Sequence, residues 1–363
     1  MAQTIRVEID KLRPGMRVAK MVENQLGAVL LTPGMILDEN IIMKLQRMGI
    51  PEVVIYNETD KEVEENKQKF TEQYIDSIGN FKEVMFDAKR QNNINFASLK
   101  KIADNSLQMD TNRDIVSMLS MVRSVDEYTY SHSVNVGILA MMFGRWAGLQ
   151  EKEIKQLLYA GMLHDIGKAK IPDEILNKRG PLTEQEYNIM KTHTVHGYQL
   201  TKTCTLLSEN IRQAVLLHHE RNDGSGYPFG HKKDKIPFMA RVLAIVDTYD
   251  AMTSDRVYRD QRPPFEVFAL FEEDLPSYDL LLTNVFMNRM AQFYLGEMVE
   301  LDNGQMGEIV FLNPNQISRP IVKVGDKYID LADSELNIKK VEIKRPAYLN
   351  NIEEAGQEEN ISS

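Results

Sequence analysis

Cysteine and tryptophan are nearly absent from this chain: one of each stands among 363 residues. With Cys204 alone no internal disulfide can form, which suits a reducing cytoplasm. Long apolar runs are missing as well. Stretches such as RVLAIVDTYDAM fall short of the ~20 residues that cross a bilayer. The N-terminal MAQTIRVEIDKLRPGMRV is polar and strand-like, without the form of a signal peptide. Positive charge is not in surplus either. Against 53 acidic residues there are 43 basic ones, a net charge of −10. Bulk nucleic-acid binding is thereby disfavoured, although a small anionic ligand can still be held by local cations or metal ions. The expectation is a soluble, cytoplasmic protein with no membrane partner. What is plentiful is apolar material, 43% of the chain, enough for a sizeable core and two or three domains.

Residues 1–60 alternate β-branched runs (TIRVEI, GAVLLT, PEVVIY) with turn signals (RPGM, TPGM) around one amphipathic stretch, DENIIMKLQRMGI. Asp38 or Glu39 starts that helix and Gly49 stops it. This reads as a small α+β module. Charged, helix-favouring residues then form a helical connector over 61–99. From 100 to 280 the periodicity is helical nearly throughout, including DIVSMLSMVRSV, HSVNVGILAMMFGRWAG, EKEIKQLLYAGMLHD and MARVLAIVDTYDAMTS. Thr183 and Glu186 fit a capping box, and Ser208 or Asn210 can cap the next helix. Residues 281–345 read as β-like, with DNG as a tight turn between alternating runs. The polar tail 346–363 reads as disordered.

Six of the seven histidines fall between 132 and 219. His132, His164, His193, His218 and His219 lie on or at the ends of expected helices, with Asp165 beside His164. Asp247 interrupts an apolar stretch, where an uncompensated carboxylate is costly to bury. Imidazole with a few carboxylates is a ligand set for zinc, manganese or iron. An aspartate next to a histidine can give one oxygen to each of two ions and bridge them. Two ions ~3.5–4 Å apart suit phosphodiester cleavage by an activated hydroxide. The residues divide as His132, His164, Asp165 and Asp247 for one ion, and Asp165, His193, His218 and His219 for the other. Adjacent helical residues point about 100° apart, so His218 and His219 can share an ion only if their helix ends there. The following ERNDGSGYP has the composition of such an ending. His196 and His231 read as ordinary histidines.

HDIGK (164–168) and HHERNDGSGYP (218–228), with YTYSHSVNV upstream and VDTYDAMTSDRVYR downstream, resemble the HD-GYP domain, a branch of the HD phosphohydrolases. The resemblance covers roughly residues 100–275. It implies a mainly α protein: an all-helical HD-type catalytic domain flanked by the small N-terminal α+β module and the C-terminal β-like segment. The implied activity is metal-dependent hydrolysis of cyclic di-GMP to linear pGpG, or to GMP if both bonds are cut. Two divalent transition metals are implied, iron or manganese. Matched position by position, the family's ligands fall on the same seven residues reached from chemistry.

Lys168 lies about one turn from His164 and can stabilise the transition state or protonate the leaving oxygen, which with Asp165 makes the catalytic pair. The loop residues Asp223, Gly226 and Tyr227 are expected at the substrate. DGSGYP combines two glycines tolerant of positive φ with a ring and a fixed proline, offering Tyr227 to a guanine. Arg256 and Arg259, one turn apart, would meet phosphate or the guanine edge. Where some family members carry a carboxylate that holds a third ion, this chain has Tyr128, so two ions are expected. Asp126 and Glu127 fall on the wrong side of that helix. Two other readings stand beside the first: hydrolysis of another nucleotide by the same site, or a non-catalytic cyclic di-GMP effector. A homodimer or a signalling-protein partner is a further expectation.

Overall fold

The N-terminal module is built from strands whose β-branched residues bury one face. The computed structural model describes residues 4–24, 29–31, 35–57, 60–108, 128–254 and 261–342. The expected helix over 114–125, the residues Asp126, Glu127, Arg256 and Arg259, and the tail 346–363 lie outside them. Strand Thr4–Glu8 pairs antiparallel with Glu52–Tyr56, and Val22–Glu23 with Val29–Leu31. Between them the Glu39–Arg47 helix is capped by Asp38, whose carboxylate accepts the Ile41 N–H at 2.7 Å. Gly49 ends the turn beyond it with a φ of +69°. Val18, Leu31, Leu37, Leu45, Val53 and Ile55 form a core of their own.

The stretch read as a connector is structural. Its 31-residue helix, Asp60–Arg90, buries Phe70, Tyr74, Ile78, Phe81 and Val84 in the main helical core. The Phe96–Gln108 helix adds Leu99 and Ile102 to the same core. A second difference concerns HSVNVGILAMMFGRWAG. An amphipathic pattern is expected there, yet residues 131–144 of the Tyr128–Trp146 helix are buried without a break. A helix enclosed by its neighbours needs no polar face.

The expected β-like segment 281–345 begins instead with a helix, Leu280–Gln292, whose Phe286, Met287 and Met290 are buried. The β signal is real only from Met298. Five antiparallel strands follow, in the spatial order Lys327–Asp330, Ile321–Val324, Met306–Phe311, Met298–Leu301, Ile338–Glu342. Their inner residues Val299, Leu301, Ile309 and Val322 join the helical core. The chain is mainly α, with small β elements at both ends.

Glycines set how closely the site-bearing helices approach. A Cβ on Gly161 would stand 2.7 Å from the Gly137 Cα, so the Glu151–Leu163 and Tyr128–Trp146 helices touch backbone to backbone. That contact draws His132 and His164 together. Gly161→Ala is expected to cost about 1–3 kcal/mol, because neither backbone can yield without displacing the core. Gly79→Ala, in open space on the Asp60–Arg90 helix, is expected to be neutral or to gain ~0.5–1 kcal/mol. Urea unfolding of the two variants checks the contrast.

Candidate metal centre

The Glu151–Leu163 helix stops where the chemistry begins. His164 is its last helical residue, Asp165 leaves helical geometry at φ −99° and ψ 5°, and a 3₁₀ turn runs from Ile166 to Lys170. The break lets His164 and Asp165 face one centre despite being adjacent. Gly167 permits it: a Cβ there would lie 1.9 Å from the His193 carbonyl oxygen. Only glycine lets this turn sit against the His193–Thr203 helix. His218 likewise terminates its helix, Glu209–Leu217, so His219 is free to turn back toward the same centre.

All seven residues expected as ligands converge. Donor atoms of Asp165, His193, His218 and His219 lie within 4.8 Å of one another, and so do those of His132, His164 and Asp247. Asp165 stands between the groups. Its Oδ1 is 3.3 Å from His193 Nε2, and its Oδ2 is 3.2 Å from His164 Nε2 and 3.8 Å from His132 Nε2. Asp247 Oδ1 lies 3.1 Å from His132 Nε2 and 3.6 Å from His164 Nε2. Nearly all of this is buried; Asp165 is 3% exposed and Asp247 8%.

Second partners fix the rings. Nδ1 of His164 donates to the Gly161 carbonyl (2.7 Å), that of His193 to Met190 (2.8 Å), and that of His218 to Val215 (2.8 Å). A carbonyl can only accept, so Nδ1 carries a proton and Nε2 is the ring nitrogen turned toward the centre. His132 is held differently, its Nδ1 lying 2.8 Å from Asp250 Oδ2. The buried His164 Nε2 and Asp165 Oδ1 make no hydrogen bond. Two buried polar atoms without a partner are expensive, and a cation between them removes the cost. The donor set therefore fits divalent ions, and these buried groups can hold them.

The electrostatics divide the centre in two. Burial opposes charge on His132 and His164, yet Asp247 and Asp250 raise the first, while Asp165 and Asp247 raise the second to about 10. Burial likewise disfavours the anions of Asp165 and Asp247. Neighbouring imidazoles, with Lys168 beside Asp165, outweigh it and hold both well below the usual carboxylate range. Burial drops His193 to about 4 and, with the adjacent imidazoles, holds His218 and His219 far below their ordinary value.

The loop after His219 is tied to the centre by Glu220, which sequence reasoning missed. Its buried carboxylate accepts the N–H groups of Phe229 and His231, both at 2.8 Å. Of the two glycines, only Gly224 needs positive φ, at +89°. Gly226 is required for another reason: a Cβ would lie 2.4 Å from the His219 carbonyl oxygen. Tyr227 packs inward, its ring centroid 4.6 Å from that of His219, and burial pushes its hydroxyl pKa up. The Asp223 carboxylate is taken up within the loop, accepting the Ser225 N–H (2.9 Å) and hydroxyl (2.7 Å). Those bonds give Asp223 a part in shaping the loop, and its side chain remains exposed. Lys168 Nζ pairs with Asp165 Oδ2. The Tyr128 side chain lies outside the described residues, as do Arg256 and Arg259. Asp250 and Asn135 were also missed. Asp250 had a visible signal, being one turn from Asp247 in the same apolar run.

A family model described as the HD domain matches residues 116–279. The chain is 36% identical over 210 residues to a cyclic di-GMP phosphodiesterase of Pseudomonas aeruginosa, covering 57% of this chain and 51% of the relative. It is 39% identical over 160 residues to a cyclic di-GMP phosphodiesterase of Thermotoga maritima, covering 44% and 43%. With a 3′3′-cGAMP-specific phosphodiesterase of Vibrio cholerae it shares 30% over 225 residues, covering 61% and 40%. The chain thus spans about half the length of these relatives, or less. Among the described residues no helix is long and apolar enough to cross a membrane.

At neutral pH an ion entering the first group must displace the proton of His164, whose pKa of about 10 lies above the ordinary 6.5. Apparent Mn(II) affinity is therefore expected to rise between about pH 6 and pH 9, by up to about tenfold per unit for each proton displaced. Calorimetric titration in buffers of differing ionisation enthalpy reads the proton release directly. Metal uptake without released protons contradicts the assignment.

Proposed function

We propose that this chain is a metal-dependent phosphodiesterase that hydrolyses cyclic di-GMP to pGpG, GMP or both. The observation that carries the reading is Asp165, buried between two groups of histidines with one oxygen toward each. The GYP loop packed on His219 and the two relatives named for cyclic di-GMP support the choice of substrate. His132, His164, Asp165 and Asp247 would hold one ion, and Asp165, His193, His218 and His219 the other. Iron and manganese both accept such a set. Bound there, two divalent ions supply charge neutralisation at the phosphate and acidify water.

The chain's own residues supply the rest. Lys168, held beside Asp165 at the partly open edge of the centre, presents an ammonium to a phosphoryl oxygen or to the departing ribose 3′ oxygen. Tyr227 covers one face of His219 and keeps bulk water from it. Arg256 and Arg259 follow the helix that carries Asp247 and are the guanidinium candidates for phosphate or guanine. A second reading, hydrolysis of another cyclic dinucleotide, is favoured by the 3′3′-cGAMP-specific relative.

The test is anaerobic loading with Fe(II) or Mn(II), metal analysis, and chromatography of cyclic di-GMP and 3′3′-cGAMP reactions. Cyclic di-GMP is expected to be consumed with the higher kcat/KM. Asp165→Ala is expected to lose metal and activity together. Lys168→Ala should keep its metal and lose on the order of 10²–10³ in kcat. Faster turnover of 3′3′-cGAMP selects the second reading. Full metal content with both substrates bound but intact leaves a cyclic-dinucleotide receptor.

A further inference from the structure

Three of the histidines owe their orientation to main-chain carbonyls, which no side-chain change removes. His132 owes its orientation to a chain of side chains. Its Nδ1 meets Asp250 Oδ2 at 2.8 Å, Asp250 Oδ1 accepts from Asn135 Nδ2 at 3.2 Å, and Asn135 Oδ1 accepts from the Tyr74 hydroxyl at 2.6 Å. All four residues are buried: Tyr74 and Asp250 are 0% exposed, Asn135 1% and His132 4%. Asn135 stands one turn beyond His132 on the Tyr128–Trp146 helix, and Asp250 one turn beyond Asp247 on Phe238–Thr253. Tyr74 comes from elsewhere, the Asp60–Arg90 helix that leaves the N-terminal module and precedes the stretch matched by the HD model.

The order of donors in this chain has one consistent solution. The Tyr74 hydroxyl gives its proton to the Asn135 oxygen, so the amide nitrogen must face Asp250. With the amide turned over, its oxygen would confront a carboxylate oxygen in a buried site. So held, Asp250 accepts the His132 N–H, aims Nε2 at the centre and raises the basicity of the ring. A carboxylate behind a histidine ligand acts in this way, and its removal typically costs 10–100-fold in metal affinity.

We propose that Tyr74, Asn135 and Asp250 are positioning residues that set the ion affinity of the His132–His164–Asp247 group, with Tyr74 giving the N-terminal helix a part in the centre. The inference rests on the two-ion reading above.

Tyr74→Phe removes one hydroxyl and keeps the ring in its packing. The experiment is stepwise Mn(II) titration of the wild-type chain, Tyr74→Phe and Asp250→Asn, with metal analysis and thermal unfolding in parallel. Wild type should take up two ions. In Tyr74→Phe one of the two affinities is expected to fall about tenfold and the other to stay, with activity recovering in excess Mn(II). Asp250→Asn should weaken the same ion by 10–100-fold. A lower unfolding temperature with both affinities of Tyr74→Phe unchanged would overturn the proposal, leaving a core hydrogen bond. Wild type that binds no metal sinks the two-ion reading itself, and this proposal with it.

Discussion

A buried carboxylate shared between two sets of imidazoles is the constraint around which this molecule is arranged. Asp165 is 3% exposed, and each of its oxygens looks toward a different histidine group. An isolated anion in such a place would neutralise itself or unfold its surroundings. Here imidazoles and Lys168 surround it, and the neighbouring carboxylates in turn raise the basicity of His132 and His164.

The rest of the helical region brings imidazoles and carboxylates from five helices or their ends to one point. Helix termini at His164 and His218 turn adjacent residues inward. Glycines at 161, 167 and 226 let backbones approach where any side chain would collide. Carbonyls at Gly161, Met190 and Val215 fix three tautomers at no expense in side-chain order. The enclosed Tyr128–Trp146 helix, buried throughout residues 131–144, supplies a dry wall that strengthens each interaction in the centre.

Much of this was legible in the residues. Imidazoles and carboxylates are costly in apolar helical stretches unless compensated, so the convergence of these seven residues in two groups could be anticipated. Thr183 and Glu186 form the expected capping box, because that signal depends only on local geometry. What escaped depends on partners distant in sequence. Tyr74 lies 61 residues from Asn135, and no local pattern marks a phenol as a donor to a distant amide. Gly226 was read as tolerant of positive φ because composition reports flexibility, whereas the need is close approach to His219. That Asp223 also shapes its own turn, accepting from Ser225, was not visible in composition either. The Leu280–Gln292 helix was absorbed into a β-like segment, although Gly296, with a φ of +84°, marks the stop between it and the Met298 strand.

The central claim is that Asp165 joins the two groups into one dinuclear centre. Electron paramagnetic resonance of the fully Mn(II)-loaded chain tests it most directly. The account predicts an exchange-coupled spectrum of two ions sharing a ligand. Separate, uncoupled Mn(II) signals at full loading, or saturation at one ion per chain, would contradict it.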